Sequence, residues 1–362
     1  MKECLILPPW SAGSLGDEYM VAGAAWLFSQ KGYRVFVAEM EYPGSSSTFE
    51  GTVGPLLRDR PVHFIPLAQH RHCKDTPFYQ VVAIGADTLD GLHSTEFSIE
   101  TLRGLADAAN AGKRVDIVSA SYSNESKPEV DQVVRSTPAL KWVARERCSF
   151  QRLKAIGAAN VLLGCDFSIF LSRLVGQRIA RAAVRQPLVS LAISPSVERI
   201  YGADLETALT RAITQLSVLA PTLRVNVVAH DYRSFGARSN PQVAKDISCS
   251  LAKKLSPIPV AFDGRRLTAR EAWDVARRST LVISGFMHFA LMSSYAGTPS
   301  YFLSYSDKGI GQREMNPLFS CGDLQQLESF VGAYNSRLRL RRLEAWVGRA
   351  RLKARVEKAC GF

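Results

Sequence analysis

Residues Thr280–Pro299 read TLVISGFMHFALMSSYAGTP. Leu281, Val282 and Ile283 form a short apolar run that breaks at Ser284-Gly285. His288 stands where a helix begins, expected over about Phe289 to Ala296 and stopping at Gly297. A second apolar run follows Pro299. Strand, sharp turn, helix N-terminus and strand make the geometry in which open α/β sheets build ligand sites. A histidine there sees the positive end of the helix dipole and unpaired backbone N–H groups. It is placed to meet an anionic substrate and to give or take a proton. The same pattern also fits a core or capping histidine.

Working outward, the same alternation fills the chain. In the first half, strands are expected at Cys4–Leu7, Tyr33–Glu39, Val62–Pro66, Val81–Ile84, Val115–Ala120, Trp142–Arg145 and Asn160–Cys165. Helices are expected at Glu18–Lys31, Ile99–Ala111 and Ser149–Ile156. The basic, proline-ended segment Arg178–Pro187 reads as a linker. The alternation then restarts with strands at Val189–Ile193, Arg224–Ala229, Pro259–Phe262 and Leu281–Ile283, and helices at Asp204–Leu219, Gln242–Lys254 and Thr268–Arg277. The fold class is therefore α/β, with two Rossmann-like doubly wound domains facing a cleft. Their expected bounds are 1–180 and 187–322, followed by a basic helical segment, 323–362.

Composition bounds the alternatives. At 362 residues, 46% apolar and 22% charged, the chain is long enough for two cores. No run approaches the ~18–20 apolar residues of a membrane span. The N-terminal MKECLILPPW is too short in apolar residues for a secretory signal. Seven scattered cysteines without a C-x-x-C pair imply reduced thiols and a cytoplasmic setting, with neither a disulfide framework nor a zinc cage. The net charge is +12. Arg337–Lys358 carries nine Lys/Arg against two Glu, more than half of that excess. Its leucines, Trp346 and valines recur at helical spacing, giving a basic amphipathic helix. Such a helix either packs its apolar face on the body or lies against anionic lipid at the inner membrane face. No reader motif accompanies the charge, so no nucleic acid is expected.

Several strand ends carry residues suited to polar ligands. Ser14, Gly16 and Asp17 sit in GSLGDE between the first strand and first helix, where glycines bring backbone N–H groups near a ligand. Asp17 can also simply cap that helix. Gly85-Ala86-Asp87 and the serine-rich 119–126 follow later strands, as surface turns also do. Arg145 at a strand end can clamp a carboxylate or phosphate, or pair with a nearby acid. His230-Asp231, Tyr305, Asp307-Lys308 and Arg313 follow apolar runs in the second half and would share the cleft edge with His288. No H-E-x-x-H, G-x-S-x-G or metal-spaced cluster is present, and no metal is expected.

In order and spacing, GSLGDEYM, VVAIGADTLDG, KRVDIVSAS, VARERCSFQRLKAIGAANVLLGCDFSIF, REAWDVARRSTLVISGFMHFALMSSYAGTP and YFLSYSDKGIGQ resemble the polysaccharide pyruvyl transferase family. The likeness covers roughly residues 4–320. It implies a glycosyltransferase-B-like architecture and transfer of pyruvate from phosphoenolpyruvate, a donor substrate rather than a cofactor, onto two hydroxyls of a sugar as a ketal. Carried over, His288 is the general acid. Arg145, Lys308, Arg313 and Ser284 would serve the donor; Ser14, Gly16, Asp17 and Asp87 would serve the acceptor. The acceptor would be a surface glycan or lipid-linked precursor, with peripheral membrane contact through Arg337–Lys358. Two features depart from the family. Phe286 stands where the family has an arginine, a charge-assisted contact of ~1.5–3 kcal/mol, and the glycine-rich turn is reduced to Gly85-Ala86-Asp87. Arg145, Arg233, Lys308 or Arg313 would then take over the anion. The alternatives are a nucleotide-sugar glycosyltransferase of the same architecture, or a member that has lost pyruvyl transfer.

Overall fold

A computed structural model describes the chain apart from residues 1, 40–46, 67–72, 75, 176–186, 234–238, 305–307, 334–349 and 362. It forms two compact units, Met1–Gly13, Asp17–Leu174 and Ala350–Phe362 in the first, Ser14–Gly16 and Val175–Arg349 in the second.

The first unit is built from β1 (Glu3–Leu7), α1 (Leu15–Gln30, from Asp17 onward), β2 (Arg34–Glu39), α2 (Phe49–Thr52), β3 (Val62–Pro66), β4 (Gln80–Ala86), α3 (Thr95–Asn110), β5 (Arg114–Ala120), α4 (Pro128–Ser136), β6 (Lys141–Ala144), α5 (Arg147–Ala155), β7 (Asn160–Leu163) and α6 (Leu171–Leu174). Its strands are all parallel, in the order β3-β2-β1-β4-β5-β6-β7. Strands such as QVVAIGA in β4 are buried along their whole length because helices cover both faces. Leu5, Val81, Ile117 and Trp142 join Leu102 and Leu105 of α3 in one apolar core.

The second unit repeats the plan with β8 (Leu188–Ala192), α7 (Pro195–Leu219), β9 (Arg224–Val227), α8 (Asn240–Lys254), β10 (Val260–Phe262), α9 (Ala269–Arg278), β11 (Leu281–Ser284), α10 (Met287–Tyr295), β12 (Ser300–Leu303), α11 (Lys308–Met315), β13 (Phe319–Gly322) and α12 (Leu324–Gly332). The parallel order is β10-β9-β8-β11-β12-β13. The chain leaves β8 toward β9 on one side and returns to β11 on the other. The carboxyl ends of β8 and β11 therefore flank the switch point where open sheets take ligands.

Several elements differ from the sequence reading. Helix α7 starts at Pro195, capped by Ser194, whose Oγ accepts from Val197 N at 3.2 Å. Gly202 (φ 51°, ψ −130°) interrupts it just before the expected start at Asp204. Helix α4 was not expected at all, because its charged residues hide the Val130, Val133 and Val134 stripe that packs inward.

The division at 187–322 and 323–362 also changes. Helix α12 belongs to the second unit, with Leu324, Leu327 and Val331 in that core. Residues 350–359 are helical and belong to the first unit. There Leu352, Val356, Ala359 and Cys360 are buried, Lys353 Nζ donates to Ser172 Oγ at 2.9 Å, and an Arg114 guanidinium N–H donates to Cys360 O. Arg351, Arg355 and Lys358 are exposed. Within 350–359 the apolar side chains are thus covered by protein. Most of the expected linker Arg178–Pro187, and 337–349 of the basic helix, lie outside the described residues. No helix among the described residues is long and apolar enough to cross a membrane.

Candidate active site

The site assembles at the switch point of the second unit. All four residues of β11 are buried, and the chain turns sharply after Ser284. Ser284 Oγ accepts from Phe286 N at 2.9 Å and lies 3.2 Å from Ala192 O and 2.9 Å from Phe286 O. Gly285 N donates to Ala192 O at 2.7 Å. A Cβ at Gly285 would lie 2.8 Å from Val197 Cγ2 and 2.9 Å from Ser194 N, so only glycine lets the turn close on the start of α7.

Phe286 occupies the N-cap of α10, and the helix ends at Gly297 (φ 87°). Phe289, Ala290, Leu291 and Met292 are fully buried. His288, the second residue of α10, is half-buried on this otherwise apolar helix. It therefore sits within the first turn, where N–H groups have no intrahelical acceptor.

Beside it lies His230, 1% exposed. Its imidazole stacks on Phe286, with ring centroids 4.7 Å apart, and meets Phe289 edge-on at 5.7 Å. Burial, reinforced by the neighbouring His288 and Arg233, holds its pKa well below the ordinary histidine value. His230 is therefore neutral. Asn240, 3% exposed, fixes this corner. Its Oδ1 accepts from His230 N at 2.6 Å and Asp231 N at 3.1 Å, and its Nδ2 donates to Ile193 O at 2.7 Å. Asp231 is clasped by Arg233 through Nε at 3.0 Å and a second guanidinium nitrogen at 2.7 Å. The segment Ser14–Gly16 is seated here too: Ser14 bridges Asp231, Leu15 N donates to His230 O at 3.1 Å, and Gly16 packs on His288.

The expected site residues thus separate. Ser14, Gly16, Ser284 and His288 come together in the second unit. Ser284, expected to touch the donor, is buried and its hydroxyl shapes the turn instead. Arg313 is exposed on α11, and its charge opposes the burial that raises the Cys321 thiol pKa. Lys308 opens α11, while its side chain, Tyr305 and Asp307 lie outside the described residues.

Arg145, Asp17 and Asp87 belong to the first unit. Arg145 is 1% exposed, pairing with Glu146 at 3.3 Å and Asp166 at 3.2 Å, and donating to Ser121 Oγ at 2.6 Å. Burial disfavours its charge, but Glu146, Asp166 and Asp87 outweigh it and raise its pKa. The expected donor clamp is a buried structural cation, because its fork is spent on carboxylates. Asp87 lies 3.3 Å from His93. Glu18, next to Asp17, has a buried Oε1 that accepts from Gly13 N at 3.1 Å. At the same sheet edge Ala86 and Ser119 have φ of 41° and 53°, a strained conformation for non-glycine residues. Asn240 and the Ser194 cap were missed; S-P and S-N-P before apolar runs were their available signals.

The family model for polysaccharide pyruvyl transferases matches residues 15–307. The chain belongs to the polysaccharide pyruvyl transferase family. Polysaccharide pyruvyl transferases are transferases, and the match spans both units. Comparison with curated proteins gave no match. Among solved structures, the Staphylococcus aureus protein MnaA with UDP is similar at a TM-score of 0.61 and 10% identity, over 99% of this chain and 96% of that one. UDP-GlcNAc 2-epimerase from Neisseria meningitidis, bound to UDP-GlcNAc, gives 0.59 and 10% over 99% and 100%. Anabaena HepE with UDP and glucose gives 0.57 and 14% over 99% and 97%. These likenesses establish the glycosyltransferase-B-type fold of this pyruvyl transferase family member.

Proposed function

We propose that the protein transfers the pyruvyl group of phosphoenolpyruvate to two hydroxyls of a sugar in a surface glycan or its precursor. The carrying observation is His288, a half-buried imidazole in the first turn of α10 at the sheet's switch point. Protonated His288 gives its proton to the methylene carbon of the enol, leaving a cation at C2. One sugar hydroxyl adds there and loses its proton to His288. The C2–O bond to phosphate then breaks, and the second hydroxyl closes the ketal, its proton leaving with the phosphate. Pyruvate ketal and hydrogen phosphate are the products. The positive end of the α10 dipole favours the donor anion; Arg313 and Lys308 are the cations proposed to assist it. Ser14 and Gly16 remain on the proposed acceptor side, although Gly16 reaches His288 directly. The chain needs no cofactor on this reading. It works in the cytoplasm, and its contact with the membrane face is electrostatic, through the exposed cations of 350–358.

The test is phosphate release from phosphoenolpyruvate with and without candidate glycan acceptors. Acceptor-dependent release supports the reading, and calorimetry showing no phosphoenolpyruvate binding overturns it. A cavity of about 340 Å³ at the ends of β9 and β10, bordered by Asn226, Phe262, Asp263, Arg265 and Glu271, favours a second reading as a nucleotide-sugar transferase. Protection against thermal unfolding by a nucleoside diphosphate, without any by phosphoenolpyruvate, would select it.

A further inference from the structure

We propose that Gly16 is a positioning residue for His288, and that the strap Ser14–Gly16 fixes the orientation of the imidazole. The proposal deepens the reading of His288 as the general acid and rests on it. A Cβ at position 16 would lie 2.5 Å from His288 Nδ1, 2.9 Å from Cγ and 3.0 Å from Cβ. Those atoms are the root and near edge of the side chain, so the ring cannot yield by flexing a distant tip. The backbone of Gly16 is not in the left-handed region. Its lack of a side chain, rather than conformational freedom, is what the position uses.

The strap is anchored independently of that contact. Ser14 bridges Asp231, and Leu15 N donates to His230 O at 3.1 Å. Asn240 ties His230 and Asp231 to Ile193 at the end of β8. Arg233 secures the Asp231 carboxylate. Gly16 is therefore held against His288 by a buried chain of hydrogen bonds reaching the ends of β8 and β9. A general acid must meet its acceptor carbon at a fixed distance and angle, and a displacement near 1 Å costs about 100-fold in rate. Packing that denies the ring other orientations supplies that precision.

The experiment compares wild type with Gly16→Ala in the full chain. The expected result is a fall in kcat for phosphate release of about 10- to 100-fold, with KM for phosphoenolpyruvate within about twofold. The His288 Cε1–Hε1 NMR signal, assigned by its loss in His288→Ala, should move. An unmoved signal overturns the proposal, whether or not kcat falls. Where wild type releases no phosphate, the function reading fails, and the signal alone decides the positioning role. Where Gly16→Ala does not fold, wild type decides: a nuclear Overhauser contact between Gly16 Hα and His288 side-chain protons supports the proposal, and its absence overturns it.

Discussion

The imidazole of His230 lies on the ring of Phe286, centroids 4.7 Å apart and planes inclined by 26°. Where the family resemblance implies an arginine, Phe286 gives this chain an aromatic cover over a neutral histidine. Replacing Phe286 by Ala should uncover His230 and return its pKa toward the ordinary value. The half-buried ring should cost roughly 1–3 kcal/mol, less than a fully buried phenylalanine. Histidine Cε1–H titration by NMR checks the first effect and urea unfolding the second. A His230 signal that still fails to titrate near neutrality would show that Phe286 does not carry its burial.

His230 also predicts a pH dependence of stability. Its folded pKa lies below the ordinary 6.5, so the unfolded chain binds the extra proton first as pH falls. Its contribution is complete above 6.5 and declines toward the folded pKa, by up to ~1.4 kcal/mol per pH unit. His230→Phe should flatten the slope of stability against pH between about 6.5 and 5. Equal slopes in the two proteins would assign the acid sensitivity elsewhere.

The two parallel sheets were legible because buried parallel strands are short apolar runs, of which LVI before Ser284 is an instance. The histidine at the helix start was legible for the same reason: β11 and α10 are written in consecutive residues. Arg145 was not, since a strand-end arginine looks alike whether it faces ligand or two carboxylates. Those carboxylates are Glu146, its neighbour, and Asp166, twenty-one residues on. The seat of Gly16 on His288 was equally hidden, because nothing local in GSLGDE encodes a contact with residue 288. Arg337–Lys358 reads as an amphipathic helix, but its apolar spacing alone does not say whether protein or lipid covers it.

Arg145 should behave as a structural residue. Arg145→Ala leaves Glu146 and Asp166 buried without their cation, which should cost about 3–5 kcal/mol. The loss should appear in thermal or denaturant unfolding, while KM for phosphoenolpyruvate in the folded fraction stays within about twofold. A tenfold or larger rise in KM with undiminished stability would restore the donor clamp.

Asn240 should be indispensable to the corner that carries His230. Asn240→Ala removes two buried hydrogen bonds and one part-buried one, leaving the N–H groups of His230 and Asp231 and Ile193 O without this partner. At about 1–3 kcal/mol per stranded group, partly recovered by water, a loss of roughly 2–4 kcal/mol is expected. Asn240→Asp keeps an acceptor for the two N–H groups but buries a carboxylate oxygen against Ile193 O, so its loss should be at least as large as that of Ala. Denaturant midpoints of both variants should fall below that of wild type, with Asp no higher than Ala. Hydrogen exchange at His230 and Asp231 should quicken most in the alanine variant.

Helix 350–359 separates packing from charge on one element. Val356 is fully buried and Arg351, Arg355 and Lys358 are exposed. Val356→Asp buries a carboxylate with no planned partner and should destabilise the first unit by several kcal/mol. Changing Arg351, Arg355 and Lys358 together to Glu should leave the thermal midpoint nearly unchanged. The same triple change should abolish sedimentation with vesicles of about 30% anionic lipid, since each surface cation contributes about 1 kcal/mol there. Binding by wild type that persists in the triple variant would place the lipid contact elsewhere. Binding that vanishes in 0.5 M salt, where the screening length is about 4 Å, would confirm that it is electrostatic rather than inserted.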